Sequence, residues 1–498
     1  MIKDNWKQIL DNINVRQNLS SIRREIKDKS MRKELISLVS GNEENLIKLL
    51  DSDDTKTRKN AALLMGDIGD NIYMEPLFTT YENEVKRFVK SSYLNAMGNL
   101  DYSNYIDDFK EKLTELQKEE ITQENKKHIS EEMSELSKLI IWEEGTAKHS
   151  FISYKNPFEI ILMCNKNHTG IVKEELKQLL PECKARTFGS GVQAKVDNLG
   201  WIRDLRTYRE ILFVIPGVVP CKCVVDSCAD MIVKSDLLDL LAKCHDGQEP
   251  YYFRIELKTK RTSSEKAKFV KQLSGEIERL TNRSLINTTD NYELELRVIE
   301  TPSGDCNVLL KLFTLEDIRF SYRDEVIPSS IKPVNAALCA SLAKDYLLKD
   351  AQVLDPFCGV GTMLIERHKA VPAKTTFGID INEEAIIKAR INTQRANQII
   401  HYVNRDLFTF KHDYLFDEVF TDMPFAMGRE TQENIHIIYK RFFEFVPGLL
   451  KSGARVIIYT HDRSYINEFA PINGFYIEKI FEISKKEETF LVVMRYDY

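Results

Sequence analysis

The sequence predicts a multidomain protein: an all-α helical repeat region, an α+β region, and a C-terminal α/β region on a doubly wound parallel sheet. Three observations carry this. The chain has 498 residues, which at roughly 150 residues per domain gives about three domains. Residues 1–150 place apolar side chains at helical spacing and hold a single proline, Pro76, whereas short β-like runs begin near 151. Beyond Pro328 and Pro333, apolar strands alternate with helical stretches, the pattern of a parallel sheet covered on both faces. The expected divisions are therefore 1–150, 151–325 and 326–498.

Within the first region, a shift of 32 residues superposes LLDSDDTKTRKNAALLMGDIG (49–69) on TYENEVKRFVKSSYLNAMGNL (about 80–100), pairing Arg58 with Lys90, Met65 with Met97 and Gly66 with Gly98. The acidic turn, the early basic residue and the small residues behind it resemble HEAT repeats, with 109–140 as a degenerate third unit. The competing reading is an irregular helical bundle. Such repeats would offer a surface to a protein partner.

The middle region supplies the runs FEIILMC (158–164), GVQAKV (191–196), ILFVI (211–215), LELRVI (294–299) and NVLLKLF (307–313). TGIVKEELKQLL (169–180) and SGEIERL (274–280) are helical between them, hence α+β. In the last region VLDPFCG (353–359), TTFGID (375–380), DEVFTD (417–422) and ARVIIYT (454–460) read as buried strands.

Composition narrows the class. Apolar residues make up 43 % and charged residues 29 %, ordinary globular usage that excludes wholesale disorder and collagen-like sequence. No run of about 18 apolar residues occurs, and MIKDNWKQIL lacks the layout of a secretory signal, so a soluble cytoplasmic protein without a membrane partner is expected. Nine cysteines without a regular framework fit reduced thiols. The net charge of −6 advertises no nucleic-acid partner, and the acidity sits in the first region, which holds 23 basic and 28 acidic residues.

The chemistry concentrates after the first strand of the last region. Asp355-Pro356-Phe357-Cys358-Gly359-Val360-Gly361-Thr362 runs straight into the helix TMLIERH. Two closely spaced glycines allow a tight turn and close backbone approach to a ligand, beside the free N–H groups of a helix N-terminus. A structural turn is the alternative. Asp380 ends the second strand, where a carboxylate can accept from two ribose hydroxyls. The loop lacks the third glycine of a dinucleotide fingerprint, so a compact nucleoside cofactor fits better. Asp406 follows HYVNRD, where such folds place an acid near an adenine amine. The fourth strand ends in Asp422-Met423-Pro424-Phe425, a carboxylate, a rigid proline and an aromatic ring that can hold a planar base and its amino group.

Taken together, D-P-F-C-G-V-G-T (355–362), G-I-D (378–380) and T-D-M-P-F (421–425) resemble class I S-adenosylmethionine-dependent methyltransferases, specifically the THUMP-domain RNA guanine-N2 methyltransferases. FSYRDEVIPSSIKPVNAALCASLA (320–343) is similar to the family's linker and first helix, and CNKNHTGIVKEELKQLL (164–180) with WIRDLRTYREIL (201–212) to the start of its RNA-binding half. The resemblance implies a Rossmann-like methyltransferase domain with S-adenosyl-L-methionine as cofactor. Asp355, Phe357, Gly359, Gly361, Asp380 and Asp406 would bind it, and Asp422, Pro424 and Phe425 would be catalytic. It implies methylation of a guanosine 2-amino group in structured RNA, with tRNA as the substrate. The alternatives are ribosomal RNA guanine, an adenine 6-amino group, or a scaffold that binds RNA without turnover. The N-terminal repeats lie outside the family's usual layout.

A basic cluster supports RNA binding by the middle region. Arg254, Lys258, Lys260, Arg261, Lys266, Lys268 and Lys271 face only Glu256 and Glu265 in sequence, and such cations supply phosphate contacts. A solvated charged face is the alternative. Cys221, Cys223 and Cys228, with Cys244, lack the C-x2-C spacing of structural zinc sites, so they are expected to be packed thiols. No metal is expected, and Cys358 is expected to be a small packed residue in the glycine loop.

Overall fold

A computed structural model describes residues 2–119, 125–144, 149–428 and 431–497. The chain forms two compact units. One comprises 1–148, 249–252 and 267–291, and the other 149–248, 253–266 and 292–498. Part of the expected third repeat, at 120–124, lies outside the described residues.

The first unit is built on helices. Asp54 caps helix Thr55–Ile68 by accepting from the backbone N–H groups of Lys56 and Thr57. Gly66 on this helix lets it meet helix Arg87–Met97 closely, since a Cβ there would lie 2.7 Å from the Ala96 backbone. Arg58 pairs with the buried Glu84 at 2.8 Å and donates to the carbonyl of Ser52. Lys90, its counterpart in the 32-residue shift, is buried over the Tyr81 ring. The half-buried Arg58 and the buried Lys90 therefore occupy matching places on helices Thr55–Ile68 and Arg87–Met97. The unit also takes most of helix Ser263–Leu280 and strand Leu285–Asn287.

In the second unit, the α+β part carries the strands in the order Lys184–Phe188, Gly191–Val196, Phe158–Met163, Glu210–Val214, Asp305–Leu312, Leu294–Glu300, Tyr251–Lys258, with Cys221–Lys222 pairing Asp305–Leu312 beside this row. Neighbours run antiparallel except Leu294–Glu300 and Tyr251–Lys258. The expected strands bury apolar faces, but so does Tyr251–Lys258, which was not named as a strand from sequence. Lys184–Phe188 has no buried residue, so hydrophobic periodicity cannot reveal it.

The C-terminal part is a seven-stranded sheet in the order His401–Asn404, Thr375–Asp380, Gln352–Asp355, Phe416–Asp422, Leu450–Thr460, Thr489–Tyr496, Phe475–Ser484. The first five run parallel, Thr489–Tyr496 runs antiparallel to them, and Phe475–Ser484, antiparallel to Thr489–Tyr496, runs in the direction of the first five. Helix Gln432–Phe445 packs into the core on one face, while helices Pro333–Leu342, Thr362–Ala370 and Glu383–Arg395 pack into that on the other. After Gln352–Asp355 the chain adds two strands on one side and then crosses to place Phe416–Asp422 on the other. That reversal opens a crevice at the carboxyl ends of these two strands.

The α+β part is fastened to this sheet by directed polar contacts. Arg206 forms a two-pronged pair with the buried Glu366 at 2.8 and 2.5 Å. Glu175 accepts from Thr207 and Ser341, and Asn165 and His168 bond the carbonyls of Ile483 and Glu482. Among the described residues, no helix is long and apolar enough to cross a membrane.

Candidate active site

The crevice at the strand reversal is a cavity of about 560 Å³. Of the residues expected from sequence, Asp355, Phe357, Gly359, Asp380, Asp406, Asp422, Pro424 and Phe425 all line it, and Gly361 shapes the loop that forms one wall. The seven cations assigned to RNA are not among its lining residues.

The loop after Gln352–Asp355 is held from several directions. Gly361 adopts φ +83°, and a Cβ there would run into the Tyr402 hydroxyl, so only glycine fits without strain. Gly359 is also left-handed, at φ +50°, and has open space where a side chain would stand. Its N–H donates to Asp380 Oδ2 at 2.9 Å, while Asn382 N–H donates to Oδ1 at 2.8 Å. Each Asp380 oxygen thus takes one backbone donor and keeps acceptor capacity for a ligand. Asp406 caps the next turn by accepting from Phe408 N–H at 3.0 Å.

Asp355 and Asp422 end adjacent strands. Asp355 Oδ1 accepts from the Thr421 hydroxyl at 2.6 Å and from Phe357 N–H at 3.1 Å. Its Oδ2 and the Oδ1 of Asp422 are buried with no hydrogen-bond partner among the described residues. Burial pushes the Asp355 carboxyl up to about 7. Burial, reinforced by the charge of Asp355, holds the Asp422 carboxyl well above the carboxylate range. Two unpartnered acceptors on the wall of one cavity form a receptor for a cation and for N–H donors.

These shifts have a consequence for stability. A carboxyl with a raised folded-state pKa contributes stability below its unfolded pKa, near 4, and loses it as pH climbs to about 7. The ionised Asp355 carboxylate then costs up to about 4 kcal/mol. Asp355→Asn keeps an oxygen for Thr421 and Phe357 and removes the charge. It should be more stable than wild type at pH 8 and show a shallower decline between about pH 4 and 7, where Asp422 keeps its own raised pKa. Urea unfolding across that range checks this, and an unchanged pH slope in the variant would refute it.

Sequence reasoning missed several residues here. Thr421 orients Asp355 from the neighbouring strand. His461 stacks on Phe425 with ring centroids 4.2 Å apart, so Phe425 is braced by a residue 36 positions later. Arg405 and Arg441 line the cavity, Arg441 lying over the Phe408 ring. The linker that Pro328 and Pro333 marked is tied to the loop: Arg323 donates to Thr362 Oγ1 and the Ile331 carbonyl, Tyr322 to Glu366. Asn392 bonds the carbonyls of Val360 and Glu325.

Four of the seven expected RNA-binding cations have carboxylate partners. Arg254 pairs with Glu295 at 2.6 Å and Arg261 with Glu300 at 2.7 Å, while Lys258 and Lys266 share Glu256. Lys260, Lys268 and Lys271 are exposed and have no ion-pair partner among the described residues.

Residues 321–483 match a family model described as RMKL-like, methyltransferase domain. Among solved structures, TrmN from Thermus thermophilus is 16% identical over 68% of this chain and 100% of its own, with a TM-score of 0.51. SMU.472, named as a methyltransferase and solved with SAH, is 15% identical over 69% and 99%, at 0.52. A predicted N6-adenine-specific DNA methylase from Listeria monocytogenes is 16% identical over 68% and 96%, at 0.50. At these identities the likeness is one of fold. No curated protein matches the sequence.

The cavity, its glycine loop and the family match define the class: the chain is an S-adenosylmethionine-dependent methyltransferase. The site fits that cofactor. The unpartnered Asp355 oxygen and the remaining acceptor capacity of Asp380 suit a ligand that is cationic at sulfur and rich in hydroxyl donors, and the open space at Gly359 admits it to the backbone.

Proposed function

We propose that the chain methylates the exocyclic 2-amino group of a guanosine in structured RNA, with tRNA as the substrate. In this reading 151–325 is a THUMP-like RNA-binding region, and the HEAT-like repeats of 1–150 offer a surface to a protein partner. The observation that carries it is the buried, unpartnered Oδ1 of Asp422, set beside Pro424 and Phe425 on the cavity wall.

S-adenosylmethionine supplies an electrophilic methyl group on a sulfonium sulfur. Asp380 would accept hydrogen bonds from its ribose hydroxyls, Asp355 would offer negative charge to its cationic sulfur, and Gly359, Gly361, Phe357 and Asp406 would shape the rest of that pocket. An aromatic amine is a poor nucleophile because its lone pair delocalises into the ring. Asp422, in its ionised form, accepts an amine N–H and returns electron density to the nitrogen. Pro424 fixes the turn, and Phe425, braced by His461, presents its other face to the base. Holding amine and methyl in line supplies the rest of the rate.

Incubation of total RNA with the protein and tritiated S-adenosylmethionine should label RNA and leave double-stranded DNA unlabelled. Label in DNA alone would overturn the RNA assignment, and label in neither would favour a binding protein without turnover.

Exposed cations without internal partners are the ones available to phosphates. Exchanging Lys260, Lys268 and Lys271 for Ala should flatten the salt dependence of RNA affinity by about 0.7–0.9 in logarithmic slope per lost contact. Exchanging Lys258 and Lys266, which already sit on Glu256, should change it less. Filter binding between low and high salt checks both, and an unchanged slope in the triple variant would remove these lysines from the interface.

A further inference from the structure

Cysteines far apart in the chain converge in the α+β part of the second unit. Cys221 and Cys223 stand two residues apart on and just beyond strand Cys221–Lys222, a spacing that sends both side chains to the same face. Cys221 is the direct cross-strand partner of Cys306, on strand Asp305–Leu312. The N–H of Cys223 donates to the Gly304 carbonyl at 3.0 Å, which continues the pairing. Cys228 sits near the start of helix Val225–Val233.

The Cys306 sulfur lies 3.8 Å from that of Cys221 and 3.2 Å from that of Cys228. All three sulfurs fall within 4.8 Å of one another, and the Cys223 thiol also interacts with Cys306. Cys223, Cys228 and Cys306 are buried and Cys221 is half-buried. A disulfide needs sulfurs about 2.05 Å apart, and all four cysteines are free. Tetrahedral zinc with Zn–S bonds of about 2.3 Å sets its sulfurs roughly 3.8 Å apart.

We propose that Cys221, Cys223, Cys228 and Cys306 form a structural zinc site that ties strand Cys221–Lys222 and helix Val225–Val233 to strand Asp305–Leu312. Four thiols bind one Zn²⁺ and release four protons, leaving a site of net charge −2 with no open position for a substrate. The surroundings act on that charge in both directions, since Glu300, paired with Arg261, also faces Cys223. Arg261 donates to the Cys223 carbonyl at 2.7 Å and brings its guanidinium beside the group, and the helix N-terminus adds a positive dipole end near Cys228. Without a cation, burial pushes the Cys221 and Cys223 thiols up to about 11. The hydrogen bond to Cys228, and then burial, also raise Cys306. The spacing C-x-C-x4-C looked incomplete in sequence because the fourth sulfur arrives from 78 residues beyond Cys228.

The test is the metal content of the full chain, purified under reducing conditions without metal-affinity steps, equilibrated with zinc and desalted. One zinc per chain should remain by elemental mass spectrometry. Cobalt(II) in its place should give the intense thiolate-to-metal absorption of a tetrahedral sulfur site. Cys228→Ser and Cys306→Ser should lose both signals, while Cys183→Ser, remote from the group in sequence and outside it in space, should keep them. Should the serine variants fail to fold, wild-type protein still decides: zinc should protect these four cysteines from alkylation and leave Cys183 reactive. No retained zinc, with alkylation rates equal in its presence and absence, would overturn the proposal. A two-dalton mass loss mapped to a Cys228–Cys306 crosslink in the native protein would overturn it as well, in favour of a redox pair.

Discussion

Asp422→Asn should lower the rate of methyl transfer at least about 100-fold, a loss of about 2.7 kcal/mol or more in transition-state stabilisation, with cofactor and RNA affinities near wild type. The substitution preserves shape and leaves Asp355, Asp380 and the glycine loop untouched. It removes the negative charge that makes the carboxylate an acceptor for the amine. Because Asp422 must be ionised to act and burial beside Asp355 raises its pKa, the wild-type rate should fall on the acid side well above the ordinary carboxylate range. A cationic sulfonium ligand in the cavity shifts that limb downward. The Asn variant should lack the limb. Single-turnover transfer with both ligands saturating checks this, and near-normal transfer by the variant would make the motif structural.

Arg367→Met should destabilise the protein by about 3–5 kcal/mol, the range for breaking a buried ion pair from one side. Arg367 and Glu418 are both 0 % exposed, with two contacts of 2.7 Å between them. Arg367 lies on helix Thr362–Ala370, directly after the glycine loop, and Glu418 on strand Phe416–Asp422. The pair therefore locks the cofactor loop's helix to the strand that ends in Asp422. Glu418 also accepts from Leu348 N–H at 3.0 Å, so adding Glu418→Gln keeps an acceptor there while removing the stranded charge. The double variant should recover part of the loss. Urea unfolding of both variants at pH 7 measures this, and a change below about 1 kcal/mol in the single variant would contradict a role for the pair in stability.

The parts of this molecule that sequence reveals are those governed by local pattern. Gln352–Asp355, Thr375–Asp380 and Phe416–Asp422 are short buried apolar runs that end in acids, and their carboxyl ends meet because a parallel sheet aligns them. The glycines at 359 and 361 were legible because φ near +50° and +83° admits few other residues. What stayed hidden depends on contacts between distant residues. Arg254 and Arg261 read as free cations because Glu295 and Glu300 lie about forty positions further on. Strands Phe475–Ser484 and Thr489–Tyr496, which pair antiparallel to complete the sheet, were not named from sequence, although TFLVVMRY is a short apolar run like those that were. His461 behind Phe425, and Cys306 among the other thiols, likewise owe their positions to strand order.

Nucleoside mass spectrometry of RNA methylated with S-adenosylmethionine carrying a deuterated methyl group tests the central claim most directly. The account predicts the labelled methyl on N2 of guanosine in the tRNA fraction, lost when Asp422→Asn replaces wild type. Label on the 6-amino group of adenosine, or N2-methylguanosine made equally well by the Asn variant, would contradict it.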